Sequence, residues 1–304
     1  MKSLKPSAYR LLGLLFSLIT LSAAGQSDEF ELMVLGTSQD AGYPQIGCTK
    51  VCCENITTPE PAASMAIISQ GKYWIIDATP DFTLQYNMLL KQYPDSKLGG
   101  IFLTHAHIGH YTGLMYLGRE AMNADSVPVF CLPKMEVFLR NHQPWKQLVD
   151  LGNIKLVSLN ANEAIALTPK TSITPLLVPH RDEISETCGY LLASKDKKAL
   201  YIPDIDKWDQ WKMSIIDWVN MVDIALLDAT FYDENDLPNR DMNEIPHPFV
   251  IESLEKFEGL PPPSLGKVYF THFNHTNPLL RSESEASMQV EEAGFNIART
   301  GIKL

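Results

Sequence analysis

The sequence predicts a layered α/β domain, and three observations predict it. Short apolar or alternating runs fall into two sets along the chain, stretches of helical apolar spacing lie between them, and no Pro/Gly/Ser-rich linker divides them. Residues 26–304 are therefore read as a single domain, with 45% hydrophobic residues to build its core.

The elements follow in order. Residues 30–35 alternate as a strand does, and Ser64–Ser69 and 73–77 flank Gln70-Gly71-Lys72 as a hairpin. Residues 82–91 and 111–122 carry helical spacing, while 101–103 and Val127–Cys131 read as short buried strands. Further on, 190–193 and 199–202 form a hairpin around the charged turn 194–198. Residues 224–227 are a strand, 248–257 a helix, and Pro261-Pro262-Pro263 a stiff loop entering a strand at 267–271.

The first 25 residues are of another kind. Lys2, Lys5 and Arg10 precede a charge-free, mainly apolar block at 11–21, followed by Ser22-Ala23-Ala24-Gly25. That is the pattern of a secretory signal peptide, and the block is short for a bilayer span. A bacterial protein exported to the periplasm or beyond is expected, with no stable membrane span after cleavage. Removing those three positive charges takes the formal charge from −11 to −14. An acidic chain without a Lys/Arg run repels polyanions, so a small-molecule substrate is expected and a nucleic-acid partner is not.

The chemistry-bearing stretch is Thr104-His105-Ala106-His107-Ile108-Gly109-His110, directly after Ile101-Phe102-Leu103. Alternate residues leaving a strand project to one side, so His105 and His107 can share an ion and His110 can reach back from the next turn. Three imidazoles this close suit zinc, manganese or iron. Hydrogen-bonded histidines without a metal are the alternative reading. Three in six residues, with further His and Asp stations downstream, favour the metal.

Those stations carry a resemblance. Asp77 at a strand end, His105-Ala106-His107-Ile108-Gly109-His110, His180 after Leu176-Leu177-Val178-Pro179, Asp204 in Tyr201-Ile202-Pro203-Asp204 and His272 after Tyr269-Phe270-Thr271 stand in an order that resembles the metallo-β-lactamase fold superfamily. Leu35-Gly36-Thr37 leading to Gly42-Tyr43-Pro44-Gln45, Asp228-Ala229-Thr230-Phe231, Pro246-His247 and Thr271 to Pro278 narrow it. These pieces resemble the pyrroloquinoline-quinone synthesis protein B-like and carbon-phosphorus lyase phosphodiesterase-like proteins.

The resemblance implies a four-layer αββα sandwich. It implies a first metal on His105, His107 and His180, a second on His110 and His272, and Asp204 bridging both. One or two zinc, manganese or iron ions would sit there, with Asp206 the fallback for Asp204. Asp204 and His247 are the catalytic candidates, His247 as acid or substrate contact. Where the superfamily has Asp before its last clustered histidine, this chain has Gly109. The second site is thus expected to lose its own carboxylate, and Gly109→Asp to restore occupancy.

A second constellation is Cys48-Thr49-Lys50-Val51-Cys52-Cys53. The resemblance implies that Cys48, Cys52 and Cys53 hold a structural zinc with His275. In an oxidising compartment a disulfide is the alternative, Cys48 pairing with Cys52, Cys53, Cys131 or Cys188. Cys131 and Cys188 themselves read as buried, inert thiols. Asp77 and Asp228 read as loop-bonding carboxylates and His142 as a surface residue.

Three functions stay open. The resemblance favours an exported hydrolase using metal-activated water on a small ester, lactone or phosphodiester. A metal-dependent oxidase or hydroxylase is the second, and a non-catalytic metal-binding protein the third.

Overall fold

Side-chain alternation decides how this chain layers. In the computed structural model, which describes residues 30–238 and 240–304, strand β1 (Glu31–Gly36) turns Leu32 and Val34 one way and Met33 and Leu35 the other, and all four are buried. Leu32 and Val34 join Trp74, Ile76, Phe102, Tyr190, Leu192 and Tyr201 in a core that draws on both sheets. Met33 and Leu35 join Ile75, Ile101 and Val129 in a core shared with helices. A strand buried on both faces needs a layer on each side. The predicted signal peptide at 1–25 lies outside the described residues.

Among those residues there are two sheets. The first runs in the order β1, β2 (Ser64–Ser69), β3 (Lys72–Ile76), β4 (Lys97–Phe102), β5 (Val127–Cys131) and β6 (Ile154–Ser158). Helices α1 (Phe82–Gln92), α2 (Ile108–Tyr111), α3 (Pro133–Asn141) and α4 (Trp145–Asp150) belong to this half, and Phe82, Leu89, Met135, Leu139 and Leu148 pack on the outer face of its sheet.

The second sheet contains β7 (Ile165–Thr168), β8 (Thr171–Leu177), β9 (Cys188–Ala193), β10 (Lys198–Ile202), β11 (Ile224–Asp228), β12 (Val268–Thr271) and β13 (Asn296–Ile297), ordered from β13 to β7. Helices α5 (Ile215–Met221), α6 (Val250–Lys256), α7 (Pro262–Leu265) and α8 (Glu285–Glu292) accompany it. Trp218, Val219, Val250 and Val290 cover Leu200, Leu227, Val268 and Phe270. The layers are helix, sheet, sheet, helix, as the resemblance implies. Among the described residues no helix is long and apolar enough to cross a membrane.

Each sheet is antiparallel on one side and parallel on the other. Strands β3 to β6 are parallel, and so are β10 to β13. Chain leaving the carboxyl ends of parallel strands gathers at one edge of a sheet, where α/β folds place their sites.

Three local readings need correcting. Residues 111–122 do not form a regular helix: α2 is one turn, followed by tight 3-10 turns at Thr112–Leu117. Backbone bonds run sideways here, Ala78 N–H to the His110 carbonyl (2.9 Å) and Gly113 N–H to the Ala78 carbonyl (2.8 Å). A Cβ on Gly113 would stand 2.2 Å from the Thr79 carbonyl oxygen, so close backbone approach replaces helical packing. Pro262 and Pro263, read as loop, open the one-turn helix α7, since proline fits the first helical positions. Strands β6, β7 and β8 were not expected, and in β8 Pro175 sits opposite Tyr190.

Candidate metal centre

Five strand ends deliver one cluster. Chain leaving β3 brings Asp77, β4 brings Thr104 and His105, β10 brings Asp204, β11 ends on Asp228 and β12 leads into His272. His180 follows β8, while His107 and His110 flank and enter α2. Asp77 and His272 both have left-handed backbone (φ 69° and 65°), a costly conformation for a residue with a side chain. The surrounding fold holds them there.

Asp204 is the hub. Its Oδ1 lies 3.1 Å from His180 Nε2 and 3.3 Å from His247 Nδ1; its Oδ2 lies 3.3 Å from His105 Nε2, 3.6 Å from His110 Nε2 and 3.7 Å from His272 Nε2. Donor atoms of His105, His107, His180 and Asp204 all fall within 4.8 Å of one another. So the structure brings together every deep-site residue the sequence singled out. Asp206 does not join them: it accepts from His180 Nδ1 at 3.0 Å and so orients that ring.

The remaining rings are held in the same way. Asp77 engages His110 Nδ1 at 2.7 Å, Thr104 Oγ1 meets His105 Nδ1 at 3.0 Å, and Thr230 Oγ1 meets His272 Nδ1 at 2.9 Å. With Nδ1 occupied, each of these rings turns Nε2 inward, the arrangement typical of metal-ligating histidine. Asp77 and Asp228 do bond loop backbone, at Thr104 and at Ile205 and Thr230. Sequence reasoning missed that they also grip His110 and His247.

Three of the rings are neutral and so suit a cation. Burial, reinforced by the neighbouring rings, holds His105 and His272 well below the ordinary imidazole range and His107 down to about 4, so all three are neutral at pH 7. Burial opposes a proton on His110 too, but Asp77 outweighs it and lifts the group to about 9. Burial likewise pushes Asp204 up to about 6 against the pull of His180 and His247. Buried His110 Nε2, His180 Nε2, His272 Nε2 and Asp204 Oδ1 have no hydrogen-bond partner. Orphaned polar atoms at this depth are costly, and these converging atoms fit a divalent ion once His110 gives up its proton.

Gly109 brings no carboxylate to the second site, as expected, but the fold sets another carboxylate beside it. Asp40 Oδ1 lies 3.7 Å from His110 Nε2, and donor atoms of Asp40, His110 and His272 fall within 4.8 Å of one another. A Cβ at Gly109 would stand 2.3 Å from Asp40 Oδ1 and 2.4 Å from its Cα. Gly109→Asp therefore cannot simply restore a ligand.

The outer cluster also assembles. Cys48, Cys52, Cys53 and His275 bring their donor atoms within 4.8 Å, all four half-buried. Every cysteine carries a free thiol, and Cys131 and Cys188 are buried away from this group. Burial pushes Cys53 up to about 12, while hydrogen bonding from Cys53 lowers Cys48 despite a small opposing effect of burial. His275 Nδ1 is a buried atom without a partner. Three sulfurs and one imidazole make a tetrahedral zinc set.

Sequence and shape comparisons agree with this fold. The β-lactamase superfamily domain profile matches residues 73–273. Coenzyme PQQ synthesis protein B of Azotobacter vinelandii is 23% identical, over 90% of this chain and 99% of its own. The Zn(2+)-bound PqqB structure from Methylobacterium extorquens superposes with a TM-score of 0.73 at 20% identity, covering 90% of this chain and 99% of that one. A diphosphatase from the PhnP family superposes at 0.67 with 25% identity, over 90% and 96%. With two thirds of its length matched by the profile, the chain belongs to the β-lactamase superfamily.

Proposed function

We propose that this protein is an exported metal-dependent hydrolase that cleaves a small ester, lactone or phosphodiester. The observation that carries the reading is the meeting of donor atoms of His105, His107, His180 and Asp204 within 4.8 Å, where His180 Nε2 and Asp204 Oδ1 are buried without a hydrogen-bond partner and His105 Nε2 faces His107 Nδ1 at 2.8 Å. A divalent ion on these donors supplies a Lewis acid and makes bound water acidic. His105, His107 and His180 would hold the first ion, His110 and His272 a second, and Asp204 both.

The chain's own groups divide the remaining work. His247 stays buried, and although burial opposes its charge, Asp228 and Asp204 raise its pKa overall. Its Nδ1 is bonded to Asp228 at 2.9 Å, so a proton handed to a leaving group departs from the other ring nitrogen. A groove lined by Lys134, Val137, Phe138, His142 and Glu183 borders the centre through Glu183, 3.6 Å from His107 Nε2. Its mixed apolar and charged walls suit a small anionic or ester substrate. The basic, apolar and small-residue succession at 1–25 supports export.

A second reading, a metal-dependent oxidase or hydroxylase, is favoured by the coenzyme PQQ synthesis proteins matched over 90% of the chain. One experiment separates the two. Metal-loaded protein is offered chromogenic esters, lactones and phosphodiesters in one cell and tyrosine-derived substrates with an oxygen electrode in another. Turnover in the first that is lost in His105→Ala supports hydrolysis; oxygen uptake without hydrolysis overturns it.

A further inference from the structure

We propose that Asp40 is a metal ligand, completing the second half of the deep centre from a loop that the histidine cluster does not include. The inference rests on the reading that this centre holds metal, and it adds a donor to it.

Three observations carry it. Asp40 is half-buried as a residue, yet its Oδ1 is buried and lacks a hydrogen-bond partner, as do His110 Nε2 and His272 Nε2. Asp40 Oδ1 lies 3.7 Å from His110 Nε2, one donor atom each of Asp40, His110 and His272 come within 4.8 Å of one another, and Asp204 Oδ2 stands 3.6 Å and 3.7 Å from the two imidazoles. A carboxylate, two imidazoles and a shared carboxylate form a four-donor set of the kind that binds zinc or manganese.

The loop is fixed where it must be. Gln39 N–H donates to the Phe273 carbonyl at 2.7 Å, Phe273 N–H donates to the Thr37 carbonyl at 2.7 Å, and Asn274 Nδ2 donates to Gln39 Oε1 at 2.6 Å. The backbone next to Asp40 is thus stitched to the residues directly after His272, so the two ligands keep one spacing. Gly109 completes the fit. Its missing Cβ would lie 2.4 Å from the Asp40 Cα, so a side chain at 109 and the present course of the Asp40 loop exclude each other. The chain has a glycine where the loop needs room, and a carboxylate arriving from the loop instead.

The test reads metal binding and not turnover. Wild-type, Asp40→Asn and Asp40→Ala proteins are stripped with chelator, checked for equal melting temperature, and titrated with zinc against a competing chromophoric chelator. Cobalt(II) spectra follow the ligand set of each equivalent. Wild type should take up one equivalent at the cysteine cluster and two at the deep centre. Both variants should weaken the last equivalent by at least about tenfold, the loss already seen when a group merely behind a ligand is removed, and change its cobalt spectrum while leaving the others alone. An unchanged last equivalent in both variants, or a wild type with no second deep equivalent, overturns the proposal. Failure of every hydrolase substrate would sink the functional reading and leave the Asp40 result standing.

Discussion

His272 and His275 stand three residues apart, yet they serve two clusters built on opposite principles. The deep centre draws its donors from chain at strand ends in both sheets, buries all but His107, and fixes the rings of His105, His110, His180 and His272 through a hydrogen bond at the far nitrogen. Its shape is already complete in protein bonds alone. The outer cluster draws three cysteines from one loop, half-exposed, with only His275 coming from the sheet side. There the thiols must shed protons to bind, and beyond the local turn at Val51–Cys53 and the Tyr43 hydroxyl on the Cys52 carbonyl an ion would be what ties them to His275. The contrast suggests different roles: the fold makes the deep centre, whereas an ion on the outer cluster would help make its loop.

The largest expected effect breaks the deep half. His105→Ala should remove metal from that centre and lower hydrolytic kcat by about 10³-fold or more, since several kcal/mol of Lewis-acid stabilisation are lost. The melting temperature of the stripped protein should hardly change. Unchanged metal content in this variant would move the site elsewhere.

Cys53→Ser tests the other half. Loss of the outer ion should cost about 2–3 kcal/mol and lower the melting temperature by roughly 5–10 °C, with deep-site metal retained. Thiol titration of wild type provides the check: cysteines found oxidised in pairs would replace zinc by a disulfide.

Gly109→Asp sharpens the boundary between loop and centre. Because its Cβ meets the Asp40 backbone, the variant should be destabilised by about 1–3 kcal/mol and should bind its last metal less tightly. Tighter binding would mean that the Asp40 loop yields.

The smallest effect is a pH dependence of opposite sign in two measurements. His110 in the metal-free protein is raised above its ordinary value to about 9 by Asp77, against the opposing effect of burial. Its stabilisation is fully present below pH 6.5 and lost as pH rises through about 9. Metal uptake runs the other way, because the proton on Nε2 must leave first. Melting of the stripped protein and zinc titration at pH 6.5 and 9 should therefore diverge; parallel trends would contradict the His110 assignment.

Much of this was legible in the chain itself. The spacing of His105, His107 and His110, and the order of His180, Asp204 and His272 after them, located the deep centre because each follows an apolar run that ends as a strand. The rest depended on long-range geometry. Asp40 lies in an unremarkable loop, and only the fold brings it against Gly109; the missing carboxylate at 109 was the one signal that another had to be sought. Asp77 and Asp228 showed as strand-end carboxylates, but not as the grips on His110 and His247. Helices α5 and α8 escaped periodicity because they are short, although Ser214 and Ser284 cap them with their side chains. Strand β8 was hidden by Pro175 and by its Thr and Ser positions.

The most direct test of the account is the metal content per chain of wild type and Cys53→Ser, purified without chelators and measured by elemental analysis for zinc, manganese and iron. The account predicts about two or three equivalents in wild type, of which one zinc disappears in Cys53→Ser and the rest remain. A single zinc that vanishes with Cys53 would leave the deep histidines without an ion and contradict it.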